Sequence, residues 1–242
     1  MNASIAAEEK RKSRLIFWLS NIVYIVFICF VIIFSLINPQ FLTLNNIVSL
    51  LKQSSVWMLV STGMGLVILT GGMDMSIGMN MLLSAAIMWL TNSLGVPFWA
   101  SIVICILVGM IIGFINGLMA TYLDIYPLLP TLATMYVAKG IGCIITGGGN
   151  RIVPDQLKGL VNTDIGAFPI HIFIAILVVI IVQIFLSKTE IGRQIYAIGD
   201  NPKTASEKGI SALKIKLIAY ISCGLICAFA ALVSVAQVGA VT

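Results

Sequence analysis

The chain has 242 residues, of which 60% are hydrophobic and only 10% are charged. A soluble domain carries roughly 25% charged residues, so the composition excludes a soluble enzyme, a disordered chain and a disulfide-based scaffold. The single histidine leaves no HExxH zinc site, the five cysteines form no CxxC pair, and no GxxxxGK[ST] phosphate-binding loop occurs. We therefore expect no catalytic residue, metal site or ATP site in this chain. The long apolar stretches indicate a multi-pass membrane protein.

Seven apolar stretches follow one another, each of about 18–24 residues and close to the length that a helix needs to cross the hydrocarbon core. They are predicted at 16–37, 53–70, 75–94, 98–119, 127–145, 169–186 and 215–238. The first is too long for a cleaved signal peptide and lacks a small-residue cleavage site, which favours an anchor. The segment 41–51 is either an interfacial helix or the outer start of the second span. The predicted fold class is all-α and polytopic.

The basic residues favour one orientation of these spans. With a cytoplasmic N-terminus, ten of the 14 Lys and Arg residues fall in inner segments and three in outer loops, while Lys139 lies within a span. Inner loops of membrane proteins carry the excess of basic residues. We therefore predict a cytoplasmic N-terminus, a large cytoplasmic loop at 187–214 and a main external loop at 146–168. Because the chain stops soon after its last span, we also expect further helices beyond residue 242.

A glycine-rich turn with one acidic residue, at 70–78, separates the second and third spans. A carboxylate at the centre of a span costs roughly 2.5–3.5 kcal/mol on insertion scales, which makes Asp74 a candidate for the solute path. The alternative is a tight turn in which Asp74 caps the third helix through the amide of Ser76 or Ile77. The spacing favours the cap, and the two interpretations are compatible.

A stripe of glycines marks the fourth span, where Gly109, Gly113 and Gly117 recur at every fourth position. Such a stripe allows another helix to pack closely, so helix packing is the favoured interpretation. Asn116 lies beside the last of these glycines. It is predicted either to line the solute path or to hydrogen-bond to a neighbouring helix.

Lys139 is a cation in the middle of the fifth span. A charge at this depth is a functional candidate, so Lys139 is a further candidate for the solute path. Alternatively, its ammonium group reaches the interface or pairs structurally with Asp74 or with helix-end carbonyl groups. A pair with Asp74 is slightly favoured.

The cytoplasmic loop contains a short predicted helix that begins at Asn201 and Pro202 and ends at Gly209. Asparagine is a good N-cap, proline suits the first helical position, and glycine ends helices. A helix of about six residues is not stable alone, which is typical of a docking element, although an ordinary connecting loop has the same length. Ala205 lies on the same face as Gly209, and a bulky side chain there is expected to push a partner away.

This loop resembles that of a known family. Residues 192–201 are similar to the Gly-Arg-x-x-Tyr-Ala-Ile-Gly-x-Asn stretch of ribose-type sugar permeases, and Ala205-x3-Gly209 resembles the EAA loop of ABC importer permeases. Lys203-Thr204-Ala205 departs from the usual Glu-Ala-Ala. Other stretches that resemble the family, in its order, are Gly71-Gly72-Met73-Asp74-Met75-Ser76-Ile77-Gly78, Ile115-Asn116-Gly117, Thr131-Leu132-Ala133-Thr134-Met135, Ala138-Lys139-Gly140 and Thr146-Gly147-Gly148. Lys139 replaces the usual arginine, which keeps the charge but loses the planar guanidinium.

The resemblance implies the permease subunit of an ATP-driven monosaccharide importer in the bacterial inner membrane, with residues 1–242 as one transmembrane domain. Such a permease spans the membrane about ten times, so seven spans imply a C-terminally incomplete copy. The implied partners are a second permease copy, a sugar-binding protein at the outer segments 38–52 and 146–168, and an ATPase subunit that holds ATP and Mg²⁺. The ATPase is expected to dock on 187–214. The implied docking residues are Gly199, Asp200, Asn201, Ala205 and Gly209.

The solute path is expected to include Asp74, Asn116 and Lys139, surrounded by membrane lipid, and no nucleic acid partner is expected. Two alternatives share part of this pattern. Nucleoside and branched-chain amino acid permeases have the same architecture. A secondary transporter would couple its own ion through Asp74 and Lys139, although the docking loop argues against it. The identity of the sugar cannot be predicted from these residues.

Overall fold

The structure, a computed structural model, describes Trp18 and residues 21–123, 125–166 and 168–241. Ten helices and four two-residue strands are found in these residues. The helices are α1 (Ile22–Ile37), α2 (Leu44–Leu69), α3 (Ile77–Ser93), α4 (Phe98–Thr121), α5 (Leu128–Thr146), α6 (Asp155–Val161), α7 (Ile170–Lys188), α8 (Glu190–Asp200), α9 (Pro202–Glu207) and α10 (Ala212–Val238). The strands are β1 (Arg151–Ile152), β2 (Asp164–Ile165), β3 (Phe168–Pro169) and β4 (Ala240–Val241).

Each of the seven predicted spans corresponds to a helix, namely α1 to α5, α7 and α10. Of the described helices, α4, α5, α7 and α10 are long and apolar enough to cross a membrane by length and composition alone. Helix α1 is a shorter apolar helix of 16 described residues, and α3 has 17. The all-α, polytopic prediction is therefore confirmed. The basic cluster before α1 lies outside the described residues.

The chain divides into two compact units, with the boundary between residues 50 and 51. In the first unit, none of the residues of α1 is buried, and their apolar side chains are exposed as lipid contact requires. The rings of Phe34 and Phe41 lie 5.8 Å apart at the end of this helix. Helix α2 is continuous from Leu44, so residues 44–51 belong to the helix of the second span and do not form a separate interfacial helix.

In the second unit, α10 is the central helix and packs against α4 through the predicted glycine stripe. A Cβ added at Gly113 would meet the backbone carbonyl of Tyr220, and one at Gly109 would lie 2.8 Å from the Cβ of Ala228. On α10, Gly224 faces the carbonyl of Gly109 in the same way. The two backbones thus approach without side chains between them, which confirms helix packing as the role of the stripe.

Short elements cover the two opposite ends of the second unit. At one end, β1 pairs antiparallel with β4, with Arg151 opposite Val241, and the side chain of Asn162 donates to the carbonyl oxygen of Ala236 at 2.9 Å. At the other end, α8 packs against the C-terminal ends of α2 and α7, and α9 packs against α8 and α10. The segments predicted as two loops on opposite sides of the membrane therefore lie at opposite ends of the helices. Both contain secondary structure that the sequence interpretation did not include.

Candidate functional site

Helix α8 is the main element that the sequence interpretation missed in the predicted cytoplasmic loop. The Thr189 hydroxyl caps it by accepting a hydrogen bond from the amide of Gly192 at 3.0 Å. Ile195 and Ile198, three residues apart, are both buried. The signal was present in the sequence, because a capping threonine precedes apolar residues at helical spacing.

Two glycines seat α8 on the ends of two spans. A Cβ added at Gly192 would meet the carbonyl oxygens of Phe185 and Leu186, in the last turn of α7. One added at Gly199 would meet the carbonyl oxygen of Leu69, the last residue of α2. Because only glycine permits such approaches, both glycines of the Gly-Arg-x-x-Tyr-Ala-Ile-Gly stretch have a packing role. Gly199 therefore connects the predicted docking loop to the end of α2 and the turn that follows.

Helix α9 has the predicted boundaries and capping groups at both ends. The side chain of Asn201 accepts hydrogen bonds from the amides of Lys203 and Thr204, each at 3.1 Å, and Pro202 occupies the first position. At the other end, the backbone of Gly209 is left-handed with a φ of 82°. The amide of Ile210 donates to the carbonyl oxygen of Ala205, and the amide of Gly209 donates to that of Ser206. These two hydrogen bonds form a Schellman motif.

The side chain of Ala205 points into the second unit, where it is 3% exposed and belongs to the apolar core. The expectation that this side chain faces a partner is therefore wrong: Ala205 fixes α9 to its own chain. The exposed surface of α9 is formed by the residues around it. These residues are Lys203, Thr204, Ser206, Glu207 and Lys208, with Asp200 and Asn201 exposed before them.

The turn between α2 and α3 encloses Asp74, which is 2% exposed. Its Oδ1 atom accepts hydrogen bonds from the amide of Ser76 at 2.8 Å and from the hydroxyl of Ser76 at 2.6 Å. Asp74 thus binds the amide of the residue before α3, as in the predicted capping interpretation. Its other oxygen, Oδ2, is buried and has no hydrogen-bond partner among the described residues.

Asn116 connects this turn to α4 and α5. Its amide donates to Oδ1 of Asp74 at 3.2 Å and to the hydroxyl of Ser76 at 2.8 Å, and its carbonyl oxygen accepts from the hydroxyl of Thr134 at 2.6 Å. Asn116 is completely buried. Of its two predicted roles, the structure shows the hydrogen bonds to neighbouring helices.

Lys139 is exposed on α5 and does not meet Asp74. In the described part of the chain, the one ion pair joins Lys158 and Asp155, at 2.9 Å. The predicted pair between Lys139 and Asp74 is therefore wrong, because Asp74 is held instead by neutral donors from Ser76 and Asn116.

Tyr220 on α10 is a further residue at this turn that the sequence interpretation missed. Its phenol donates to the carbonyl oxygen of Met73 at 2.9 Å and accepts from the Met73 amide at 3.3 Å, while the side chain is 1% exposed. A tyrosine in a buried helix needs a partner for its hydroxyl group, which was the available signal. The phenol satisfies two backbone groups of a turn that has no helical partners for them.

A cavity of about 830 Å³ lies between α2, α3 and α10 in the second unit. Asp74 forms part of its wall, together with Gln53, Trp57, Ser61 and Gln237. The other lining residues are Val56, Val60, Met64, Gly65, Ile68, Ile77, Gly78, Met81, Ser234 and Val238. Of the three residues predicted to line the solute path, Asp74 alone lines this cavity. Within the described ranges, no group of three or more His, Cys, Asp or Glu residues is placed to hold a metal ion.

Comparison with known proteins gives a family match over residues 46–242, described as branched-chain amino acid transport system / permease component. No solved structure matches significantly.

Three curated relatives resemble most of the chain. The fructose import permease protein FruF of Bifidobacterium longum is 32% identical over 229 residues, which cover 88% of this chain and 64% of FruF. The ribose import permease protein RbsC of Haemophilus influenzae is 31% identical over 215 residues, 87% of this chain and 67% of RbsC. The D-allose transport system permease protein AlsC of Escherichia coli is 31% identical over 241 residues, 98% of this chain and 74% of AlsC.

The chain thus spans about two thirds of the length of the curated relatives that it matches. Its helices account for each predicted span in the described residues. The family match over residues 46–242 shows that the chain belongs to the branched-chain amino acid transport system / permease component family.

Proposed function

We propose that the chain is the permease subunit of an ATP-driven importer that carries a monosaccharide across the bacterial inner membrane. The relatives named for fructose, ribose and D-allose import support a sugar over a nucleoside or a branched-chain amino acid. They are 31–32% identical to the chain and therefore favour no single sugar. A secondary transporter is less supported, because the expected ion-coupling pair of Asp74 and Lys139 is not formed.

The observation that carries this proposal is the way in which α8 and α9 are mounted. Helix α9 is too short to be stable alone, yet Asn201 caps it, Gly209 ends it and Ala205 anchors it. Its remaining side chains are exposed and mostly polar or charged. This rigid, outward surface is the proposed docking site for an ATPase subunit that binds ATP and Mg²⁺. ATP-driven motion would reach the spans through the contacts of α8 with α7 and α2.

The opposite end of the second unit is the proposed outer face. There, Arg151 stacks over the ring of Trp89 at 5.1 Å and donates to the carbonyl oxygen of Thr146 at 2.6 Å, which orders the segment after α5. A sugar-binding protein would deliver its ligand to 146–168 and to the predicted outer segment 38–52. The N-terminus would be cytoplasmic, and a second permease copy would complete the path.

Co-purification and transport test this proposal together. The protein is expressed from its native locus with an affinity tag, purified in mild detergent, and assayed in proteoliposomes for uptake of D-ribose, D-fructose and D-allose. We expect an ATPase subunit to co-purify and uptake of one sugar to require ATP and a binding protein. Uptake driven by an ion gradient without ATP would favour a secondary transporter. ATP-dependent uptake of leucine but of no sugar would favour an amino acid permease.

A further inference from the structure

Helix α2 differs from the other long helices in the face that it leaves uncovered. Its exposed face carries Gln53, Trp57 and Ser61, at positions that follow one another by one helical turn. The exposed face of α7, in contrast, is mostly apolar, with Gln183 as a polar residue near its C-terminal end. Its exposed large apolar side chains are Phe173, Ile176, Leu177, Ile180, Ile181 and Ile184. Helix α2 has 26 residues, yet it is not among the helices apolar enough to be identified as spans by composition. Polar groups that face lipid are unfavourable, so this face of α2 is expected to contact water or polar groups instead of lipid.

The polar face of α2 borders the cavity between α2, α3 and α10. Gln53, Trp57 and Ser61 form one wall, and Gln237 of α10 contributes to another. The amide nitrogen of Gln237 donates to the carbonyl oxygen of Lys52 at 3.0 Å and to the hydroxyl of Ser55 at 3.2 Å, which fixes the side chain in place. The volume of about 830 Å³ lies in the range of small-molecule sites, roughly 300–1,000 Å³.

The groups in the wall select the kind of solute. The described lining residues contain no Lys, Arg or His. The one carboxylate beside the groove, Asp74, is buried, and its Oδ2 atom has neither a partner among the described residues nor a surface exposed to the groove. A phosphate or carboxylate on the solute would therefore find no cation in the wall. Hydroxyl groups, in contrast, can exchange hydrogen bonds with glutamine and serine, and an indole face packs against the C–H groups of a sugar ring.

We infer that the groove between α2, α3 and α10 is a binding wall for a neutral monosaccharide, with Gln53 and Gln237 as hydrogen-bonding groups and Trp57 as the stacking surface. This inference rests on the proposed function, because it assigns the site at which that function handles its solute. It also moves the solute path to the α2 side of the second unit, since Asn116 is buried in a hydrogen-bond network and Lys139 does not line the groove.

Thiol accessibility tests whether the groove contains water. Single cysteines replace Gln53 and Ser61 in a background in which the exposed Cys29 and Cys143 are changed to serine. Ile181, 55% exposed on α7, provides the matched position on an apolar face. A charged methanethiosulfonate reagent is expected to modify the two groove thiols at least tenfold faster than the thiol at position 181. Equal, slow modification at all three positions would overturn the inference.

Protection by solute tests what the groove binds. D-ribose, D-fructose and D-allose are added in turn at millimolar concentration to the variant with the cysteine at position 61, in which Gln53 is intact. At least one sugar is expected to slow modification of this thiol several-fold, whereas ribose 5-phosphate is not. Lack of protection by all three sugars, or equal protection by ribose 5-phosphate, would overturn the inference. Uptake is measured separately. If none of the sugars is transported, the proposed function fails, while protection still decides whether the groove binds them.

Two exposed tryptophans allow a test of the stacking surface by transport. Trp57 is 70% exposed in the groove, and Trp99 is 65% exposed at the start of α4, outside the groove. Trp57→Ala is expected to lower uptake by up to about tenfold, Trp57→Phe to retain most of it, and Trp99→Ala to leave it unchanged. Equal uptake by Trp57→Ala and Trp99→Ala, at equal amounts of inserted protein, would remove Trp57 from the binding wall.

Discussion

Replacement of Gly199 by alanine tests the seating of α8 on α2. Gly199 lies near the end of α8, where an added Cβ would approach the carbonyl oxygen of Leu69 far more closely than non-bonded carbon and oxygen atoms tolerate. The obstructing atom belongs to the backbone, so no side-chain rotation can relieve the contact. Helix α8 must therefore move away from α2 by a distance on the order of 1 Å to restore an ordinary carbon–oxygen contact.

The size of the effect follows from a comparison with an unobstructed glycine. Overpacking by one carbon in a close-packed contact costs about 1–3 kcal/mol. Gly140, in the interior of α5, has no described atom within 4 Å of an added Cβ, so Gly140→Ala should stabilise its helix by roughly 0.5–1 kcal/mol. Gly199 also lies within a helix and gains the same propensity term, so the free energies of unfolding of the two variants should differ by the overpacking cost, about 1–3 kcal/mol. At about 2–4 °C per kcal/mol, Gly199→Ala should melt about 2 °C or more below Gly140→Ala.

The assay is thermal unfolding of both variants in detergent, followed by intrinsic fluorescence, together with ATP hydrolysis by the reconstituted transporter. We expect Gly199→Ala to show both a lower Tm and a weaker stimulation of hydrolysis by the loaded binding protein. Equal Tm values for the two variants would refute the close approach of α8 to Leu69. A lower Tm with full stimulation would retain the packing argument and remove α8 from the coupling route.

Three further predictions concern the docking helix, the turn and the orientation. Gly209→Val places a β-branched residue at a φ of 82°, which costs about 1–2 kcal/mol, so less ATPase subunit should co-purify with a permease that is inserted at normal levels. The control Gly148→Val, at a φ of 68° at the opposite end of the second unit, should not change co-purification. Equal losses of ATPase in the two variants would contradict the docking role. Tyr220→Phe leaves two partly buried backbone groups of Met73 without their partner and should lower stability by about 0.5–1.5 kcal/mol; an unchanged Tm would show that the turn does not depend on the phenol. In intact cells, an impermeant maleimide should label a cysteine at Asp155, which is exposed, and not one at Lys203; labelling at position 203 alone would reverse the orientation.

Features encoded over short distances along the chain were predictable. The spans follow from uninterrupted apolar stretches, and α9 follows from the adjacent Asn201 and Pro202 and from Gly209. The glycine stripe of α4 indicated a close helix contact, although its partner, α10, more than 100 residues later, was not predictable without coordinates. Helix α8 was predictable in principle, but two glycines and polar residues between its apolar positions made the segment resemble a loop.

Features that depend on distant contacts were not predictable. The sequence contains one acid in the turn between the second and third spans and one base in the fifth span, and their pairing is a reasonable expectation on electrostatic grounds alone. In the structure, Asn116 and Ser76 satisfy one oxygen of Asp74, while Lys139 is exposed on another face. Similarly, the small size of Ala205 indicated a close contact but not whether the contact is internal. The polar residues of α2 were visible in the sequence, but only the structure shows that they line one cavity.

The contact between α4 and α10 has a mechanical consequence for any transport cycle. Where side chains interdigitate, one helix can slide past another by exchanging rotamers, but Gly109, Gly113 and Gly224 bring carbonyl groups directly against the opposing backbone. An advance of one residue, about 1.5 Å along the axis, would turn a side chain into the space that only a glycine hydrogen can fill. We therefore expect these two helices to move as one rigid unit. If the groove opens and closes, we expect α2 or α3 to move relative to this unit, with the contact at Leu69 and the turn around Asp74 as the hinge.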